Sequence, residues 1–232
     1  MLRAVLFDAG ETLVHPAPSF PELFVRVLAR AGHERSLEDV VSASGAVLHR
    51  FSEAAADREL WTTSPERSAR FWTSVYERML GELGVADGDG LAVSLYATFT
   101  DRANYALFDD VPATLDALDA AGLTVGIVSN FEAWLEDLLA DLDVRDRFAV
   151  RVISGIEGIE KPDPEIFERA LDRLGVAATE AVYVGDNPEL DVDPAVALGM
   201  TAVLIDRRDR HAAHGGPRVR DLRDLAPLLE VA

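Results

Sequence analysis

Three aspartates and one lysine stand out as residues able to do chemistry together. Asp8, Asp186 and Asp191 lie just after short apolar runs, and Lys161, the only lysine of the chain, precedes a predicted helix. Carboxylates that face one cleft repel each other unless a cation lies among them, and Mg²⁺ prefers oxygen ligands together with water and a substrate phosphate. Lys161 adds a compact positive charge to such a site. The pattern therefore predicts a magnesium site that receives an anionic substrate.

Neighbouring hydroxyl and amide side chains suit the handling of a phosphoryl group. An aspartate such as Asp8 attacks phosphorus to give an aspartyl-phosphate, which water then cleaves. Ser129 and Asn130 follow the apolar run 124–128, and together with backbone N–H groups at helix starts they are suited to holding phosphoryl oxygens. These residue types indicate hydrolysis of a phosphate compound, provided that the fold brings them together.

The elements that must position these residues are short strands alternating with helices. Continuous apolar runs of four or five residues are typical of strands covered on both faces, and their alternation with helices predicts a parallel sheet built from βαβ units. Ligands bind at the carboxyl ends of the strands in such sheets. The predicted strands are residues 4–7, 124–128, 149–153, 181–184 and 202–205, and the predicted helices are 113–121, 132–142, 164–174 and 194–198.

The first strand is separated from the second by a long segment with a different pattern. Amphipathic helical stretches cover residues 20–31, 37–57, 65–83 and 91–105, and no strand-like run lies between them. Their aromatic residues recur at helical spacing, which predicts that most of them pack against each other. We therefore expect an all-helical insertion over residues 15–105 within an α/β domain made of residues 1–14 and 106–232.

Four motifs together resemble those of the haloacid dehalogenase superfamily. They are residues 8–12 (DAGET), 129–131 (SNF), 161–164 (KPDP) and 185–187 (GDN) followed by Asp191. The resemblance covers the whole α/β part and implies a Rossmann-like parallel sheet core with an inserted helical cap domain. It implies an enzyme that hydrolyses a small phosphate-containing molecule with Mg²⁺. No targeting segment is visible, so we expect the protein to be cytoplasmic.

The resemblance also implies roles for individual residues. Asp8 would be the nucleophile, and Mg²⁺ would bind the Asp8 carboxylate, the backbone carbonyl of Gly10 and Asp186. Lys161 would steady the nucleophile and the phosphate, with Ser129, Asn130 and Thr12 as further catalytic residues. Asp191 would order its loop or the outer waters of the metal rather than bind the ion directly.

Gly10 departs from the pattern of the phosphatases in this superfamily. They carry a second aspartate two residues after the nucleophile as general acid and base, a contribution of about 10²–10⁴ in rate. Glu11 is adjacent, but neighbouring side chains of extended backbone point apart, so we do not expect it to substitute. The sequence therefore predicts slow turnover of alkyl phosphates and least loss for acyl or aryl phosphates, whose leaving groups need no proton.

Two other functions remain open at this stage. One is a non-catalytic regulatory protein that binds Mg²⁺ and phosphate. The other is a metal-independent 2-haloacid dehalogenase, since dehalogenases of this superfamily also lack the second aspartate; they replace the acidic fourth motif, however, so Asp186 argues against this function.

Composition excludes several other classes of function. The formal net charge of −19 argues against nucleic-acid binding and against attraction to an anionic membrane. The chain has no cysteine, so disulfides, thiol nucleophiles and cysteine-bound metals are excluded. The apolar run 4–7 is too short for a signal peptide or a membrane span. Oligomeric state is not indicated by any pattern in the sequence.

Overall fold

A computed structural model describes residues 1–57, 59–88 and 90–229, and the chain divides into two compact units. The sheet unit consists of Met1–Val14 and the chain from Leu107 onward, and the helical unit is His15–Ala106. None of the helices in these described ranges is both long enough and apolar enough to cross a bilayer.

The strands are short, as expected for a sheet covered on both faces. In chain order they are β1 (Ala4–Phe7), β2 (Val14–Pro16), β3 (Tyr105–Leu107), β4 (Thr124–Ser129), β5 (Val150–Ile153), β6 (Ala181–Gly185), β7 (Thr201–Ile205) and β8 (Arg218–Val219).

The α-helices fall into two groups, one in each unit. Those of the helical unit are α1 (Phe20–Arg30), α2 (Leu37–Ala43), α3 (Gly45–Asp57), α4 (Pro65–Glu82) and α5 (Leu91–Phe99). Those of the sheet unit are α6 (Val111–Ala120), α7 (Leu135–Asp141), α8 (Ser154–Glu157), α9 (Pro164–Leu174), α10 (Asp193–Ala197) and α11 (Leu225–Leu228).

The main sheet is six-stranded, has the order β5-β4-β1-β6-β7-β8 and is parallel throughout. Strand β1 lies at its centre, with Phe7 opposite Ile127 of β4 and Val184 of β6. All four residues of β1 are buried, because α6, α7, α9, α10 and α11 supply buried apolar side chains to the sheet unit. This register brings the carboxyl ends of β4, β1 and β6 side by side.

The helical unit has a core of aromatic rings. Trp61 and Phe71 stack with ring centroids 5.3 Å apart, and Tyr76 stacks on Phe99 at 5.6 Å. Phe24, Phe71 and Tyr76 are buried. The prediction that most of these aromatics are packing residues is confirmed.

The parallel α/β sheet is confirmed, with strand ends within one residue of those predicted. The all-helical description of residues 15–105 needs correction, because β2 and β3 pair with each other and place His15, Pro16 and Tyr105 in strands. Strands of three residues are too short to show a period of two. The predicted helix over 37–57 is two helices that meet at Ser44.

Candidate active site

Asp8 lies directly after the central strand and is buried. Its backbone N–H donates to the Val184 carbonyl at 2.8 Å, which continues the pairing of β1 with β6. Its side-chain Oδ1 accepts hydrogen bonds from Ser129 Oγ at 2.9 Å and from Lys161 Nζ at 2.7 Å. The structure thus brings Asp8 together with Ser129 and Lys161, which follow it by 121 and 153 positions in the sequence.

Lys161 has an acceptor for each of its three N–H bonds. Besides Asp8, the ammonium donates to Asp191 Oδ1 at 2.5 Å and to the Tyr183 hydroxyl at 3.0 Å. Burial alone would lower the pKa of Lys161, but the carboxylates of Asp191 and Asp8 outweigh burial and raise it. The side chain is therefore a fixed positive charge with a fixed direction.

Asn130 fixes the lysine through the backbone. Its Nδ2 donates to the Lys161 carbonyl at 2.8 Å, and its Oδ1 accepts from the Lys161 N–H at 2.7 Å. The further role of holding phosphoryl oxygens stays a prediction, since the Asn130 amide nitrogen has two N–H bonds and the Lys161 carbonyl accepts one of them. The geometry gives Asn130 a positioning role: it ties the lysine loop to the end of β4.

Asp191 orders the acidic loop that follows β6. Its Oδ2 accepts from the Asn187 N–H at 2.9 Å, while its Oδ1 is shared between Lys161 and Tyr183. Gly185 makes this approach possible, since a Cβ on that residue would lie 2.4 Å from the Asp191 carboxyl carbon. The predicted loop-ordering contact is present.

Tyr183 is a member of the site that the sequence reasoning missed. Its hydroxyl donates to the Val128 carbonyl at 2.7 Å and accepts from Lys161. Burial, together with the negative charge of Asp191, raises the pKa of this phenol well above its ordinary value. A tyrosine within an otherwise aliphatic strand is the signal that would have pointed to it, because a buried hydroxyl needs a partner.

The residues present fit a hard divalent cation. Asp8, Asp186 and Asp191 each offer a carboxylate oxygen, and these oxygens lie within 4.8 Å of one another. Burial and the charges of Asp191 and Asp8 raise the pKa of the Asp186 carboxyl well above its usual value. Three carboxylates with one ammonium leave an excess of negative charge, and an all-oxygen set of this kind is what Mg²⁺ prefers.

Thr12 lies in the loop after Asp8 and is fully buried. Its Oγ1 has no hydrogen-bond partner among the residues that the structure describes, so it is not a turn cap. Its carbonyl accepts from Arg207 Nη2 at 2.7 Å, and Arg207 forms a two-bonded ion pair with buried Asp110. The Thr12 hydroxyl therefore has a hydrogen bond left to donate, as its predicted role of donating to phosphate requires.

Gly10 is a position with room for a side chain. A Cβ there would meet Phe131 Cε2 at 3.8 Å, an ordinary van der Waals contact. The next residue, Glu11, has a positive φ of 56° and its carboxylate pairs with Arg208 at 2.9 Å. The carboxylate next to Gly10 is thus paired with a surface arginine.

Comparison with known proteins gives the same fold and a shared family. The model of the family described as haloacid dehalogenase-like hydrolase matches residues 2–199. Haloacid dehalogenase-like hydrolase domain-containing protein 3 of Danio rerio is 32% identical, over 92% of this chain and 88% of its own. Phosphoserine phosphatase of Thermus thermophilus is 30% identical, over 97% of this chain and 98% of its own. The magnesium-bound structure of the Bacillus subtilis HAD-hydrolase YfnB, described as putative, has a TM-score of 0.79 at 17% identity, over 99% of both chains.

The structure is thus a parallel α/β sheet that carries a cluster of aspartates around one lysine at the carboxyl ends of its central strands. The chain belongs to the haloacid dehalogenase-like hydrolase family, since the family model covers most of its length and curated relatives match nearly all of it.

Proposed function

We propose that this protein hydrolyses a small phosphate-containing molecule with Mg²⁺, through an aspartyl-phosphate on Asp8. The observation that carries the proposal is the buried Asp8 carboxylate, oriented by Ser129 and Lys161 beside Asp186 and Asp191. A relative of similar length, the phosphoserine phosphatase of Thermus thermophilus, supports a phosphatase reaction.

The chain's own residues account for the first half of the reaction. A carboxylate oxygen of Asp8 bonds to phosphorus, the bond from phosphorus to the ester oxygen breaks, and the leaving group departs with the electron pair. Ser129 and Lys161 hold Asp8 by one oxygen, which fixes the plane of the carboxylate during attack. The Lys161 ammonium offsets part of the negative charge that meets at the site.

Mg²⁺ would be held by the carboxylates of Asp8 and Asp186 and by the backbone carbonyl of Gly10. Bound there, it would neutralise charge on the phosphoryl oxygens. Asp191, whose oxygens bond to Lys161, Tyr183 and the loop backbone, would keep the acidic loop in place.

The missing acid at position 10 determines which substrates react fastest. No proton donor reaches the leaving oxygen from that position, so substrates whose leaving group departs as a stable anion are favoured. We propose that the helical unit acts as the cap that selects among such molecules, and that the protein works in the cytoplasm.

The test is phosphate release from p-nitrophenyl phosphate in the presence of magnesium. We expect Asp8→Asn, which keeps the shape and removes the nucleophile, to lower kcat by about 10⁴-fold or to background. Asp172→Asn, an exposed aspartate on α9, makes the same charge change and should leave kcat within about twofold, as surface substitutions do.

Two outcomes would replace the proposal. Chloride release from a 2-halo acid without metal would make the protein a dehalogenase. Turnover of neither substrate, together with Mg²⁺-dependent binding of inorganic phosphate, would make it a binding protein.

A further inference from the structure

Phe131 places an aromatic ring beside the loop that carries the nucleophile. It follows Ser129 and Asn130, which contact Asp8 and Lys161, and its ring is only partly buried. A Cβ on Gly10 would lie 3.8 Å from Cε2 of Phe131, an ordinary van der Waals distance. The edge of an apolar ring therefore lies next to Gly10.

The backbone of Phe131 is held on both sides. Its N–H donates to Ser154 Oγ at 3.0 Å, and its carbonyl accepts from that hydroxyl at 3.1 Å and from the Gly155 N–H at 3.0 Å. Gly155 packs so closely that a Cβ there would lie 2.6 Å from the Ala133 nitrogen. The segment after β4 therefore has a fixed conformation against the start of α8.

The ring itself is fixed by a second aromatic residue. Trp134 meets Phe131 edge to face, with ring centroids 4.7 Å apart at 73°. Edge-to-face pairs of this kind are a favourable arrangement of aromatic rings. Phe131 and Trp134 form a rigid aromatic platform rather than a mobile side chain.

We propose that the Phe131 ring binds the leaving group of the substrate, and that the preferred substrates are phosphates with an aromatic leaving group. This inference rests on the proposed function. Two separate observations lead to the same class: the apolar ring next to Gly10, and the lack of an acid at Gly10 itself. The first favours an aromatic group and the second a group that needs no proton.

An aromatic acyl phosphate satisfies both conditions. Asp8 bonds to phosphorus, the bond between phosphorus and the acyl oxygen breaks, and a benzoate-type carboxylate leaves with the electron pair and without a proton. Water then attacks the aspartyl-phosphate to release inorganic phosphate and restore the Asp8 carboxylate. The aromatic group lies against Phe131 while the phosphoryl group is held at Asp8.

Acetyl phosphate and benzoyl phosphate form a matched pair of substrates for the test. Their leaving carboxylates are similar in acidity, and only benzoyl phosphate carries a ring. We expect the wild-type protein to have a kcat/KM for benzoyl phosphate about fivefold above that for acetyl phosphate, the size of one aromatic contact. Phe131→Ala should remove this preference, and Phe131→Leu should retain part of it.

A control variant and two contrary results complete the experiment. Ile156→Ala removes an exposed apolar side chain of α8 and should keep the wild-type preference. Turnover of both substrates at equal kcat/KM, unchanged in ratio by Phe131→Ala, would overturn the role of the ring and leave the proposed function standing. Turnover of neither above the spontaneous rate would overturn the proposed function itself.

Discussion

Two ionic clusters are buried in the sheet unit, and they differ in charge balance. The Asp110 cluster pairs one carboxylate with the Arg207 guanidinium through bonds of 2.7 and 3.0 Å, and Asp110 also accepts the Leu222 N–H at 2.7 Å. The acidic cluster sets Asp8, Asp186 and Asp191 against the single ammonium of Lys161. The first is neutral overall and the second carries a surplus of negative charge.

This difference in net charge distinguishes a structural ion pair from a candidate binding site. In the Asp110 cluster each carboxylate oxygen has a donor, and the guanidinium lies 3.7 Å from the centroid of the Phe108 ring, so folding alone accounts for it. In the acidic cluster, burial and mutual repulsion raise the pKa of Asp8 and Asp186. This surplus of negative charge does not stabilise the fold, and we propose that a bound cation offsets it.

Removing the ion pair of the Asp110 cluster should lower the free energy of unfolding more than any other change considered below. Asp110→Asn leaves the partly buried Arg207 without its counter-charge, which costs up to about 3–5 kcal/mol, the range for buried pairs. Urea unfolding measured by circular dichroism should show this loss, and added Mg²⁺ should stabilise the variant by as much as it does the wild-type protein. Loss of the magnesium effect in a folded Asp110→Asn protein would contradict the separation of the two clusters.

Adding a carboxylate to the acidic cluster should increase phosphatase activity. Gly10→Asp supplies the missing acid where a Cβ fits without a clash, and we expect kcat for phenyl phosphate to rise by at least about 10²-fold. The same change should lower stability when magnesium is absent, because it adds repulsion. Gly10→Asn, of the same shape without the acid, is the control; an equal rise in that variant would refute acid catalysis as the cause.

Magnesium should stabilise the protein through the acidic cluster. At 100 times its dissociation constant a ligand adds about 2.7 kcal/mol, and we expect a rise in Tm for the wild-type protein. Asp186→Asn should be at least as stable as the wild-type protein without metal and should lose most of this rise. Asp172→Asn, with the same change of charge, should keep the full rise, and a rise retained by Asp186→Asn would place the ion elsewhere.

Local patterns were sufficient to predict the core of the fold. Residues 4–7 and 164–174 form a strand and a helix with the predicted bounds, because buried runs and proline and glycine at helix ends are local signals. The same reasoning placed Asp8, Ser129 and Lys161 together, since each follows a strand end or precedes a helix.

The parts that sequence reasoning missed depend on pairing at long range. Arg207 bonds to Asp110, 97 positions earlier, and no periodicity connects the two. The β2 and β3 strands are stable only because each pairs with the other, nearly 90 residues away along the chain. The contact of Asn130 with the backbone of Lys161 was also missed, because side-chain chemistry does not reveal a backbone partner.

The three hydrogen bonds of the Lys161 ammonium affect how a substrate anion could bind to it. An ammonium has three protons, and Asp8, Asp191 and Tyr183 accept all of them. If Lys161 bonds to a substrate oxygen, as proposed above, that oxygen must replace one of these three acceptors. Tyr183 is the only uncharged acceptor of the three, and its hydroxyl still donates to the Val128 carbonyl when the bond to Lys161 is broken. The Lys161–Tyr183 hydrogen bond is therefore the one whose loss costs the least free energy.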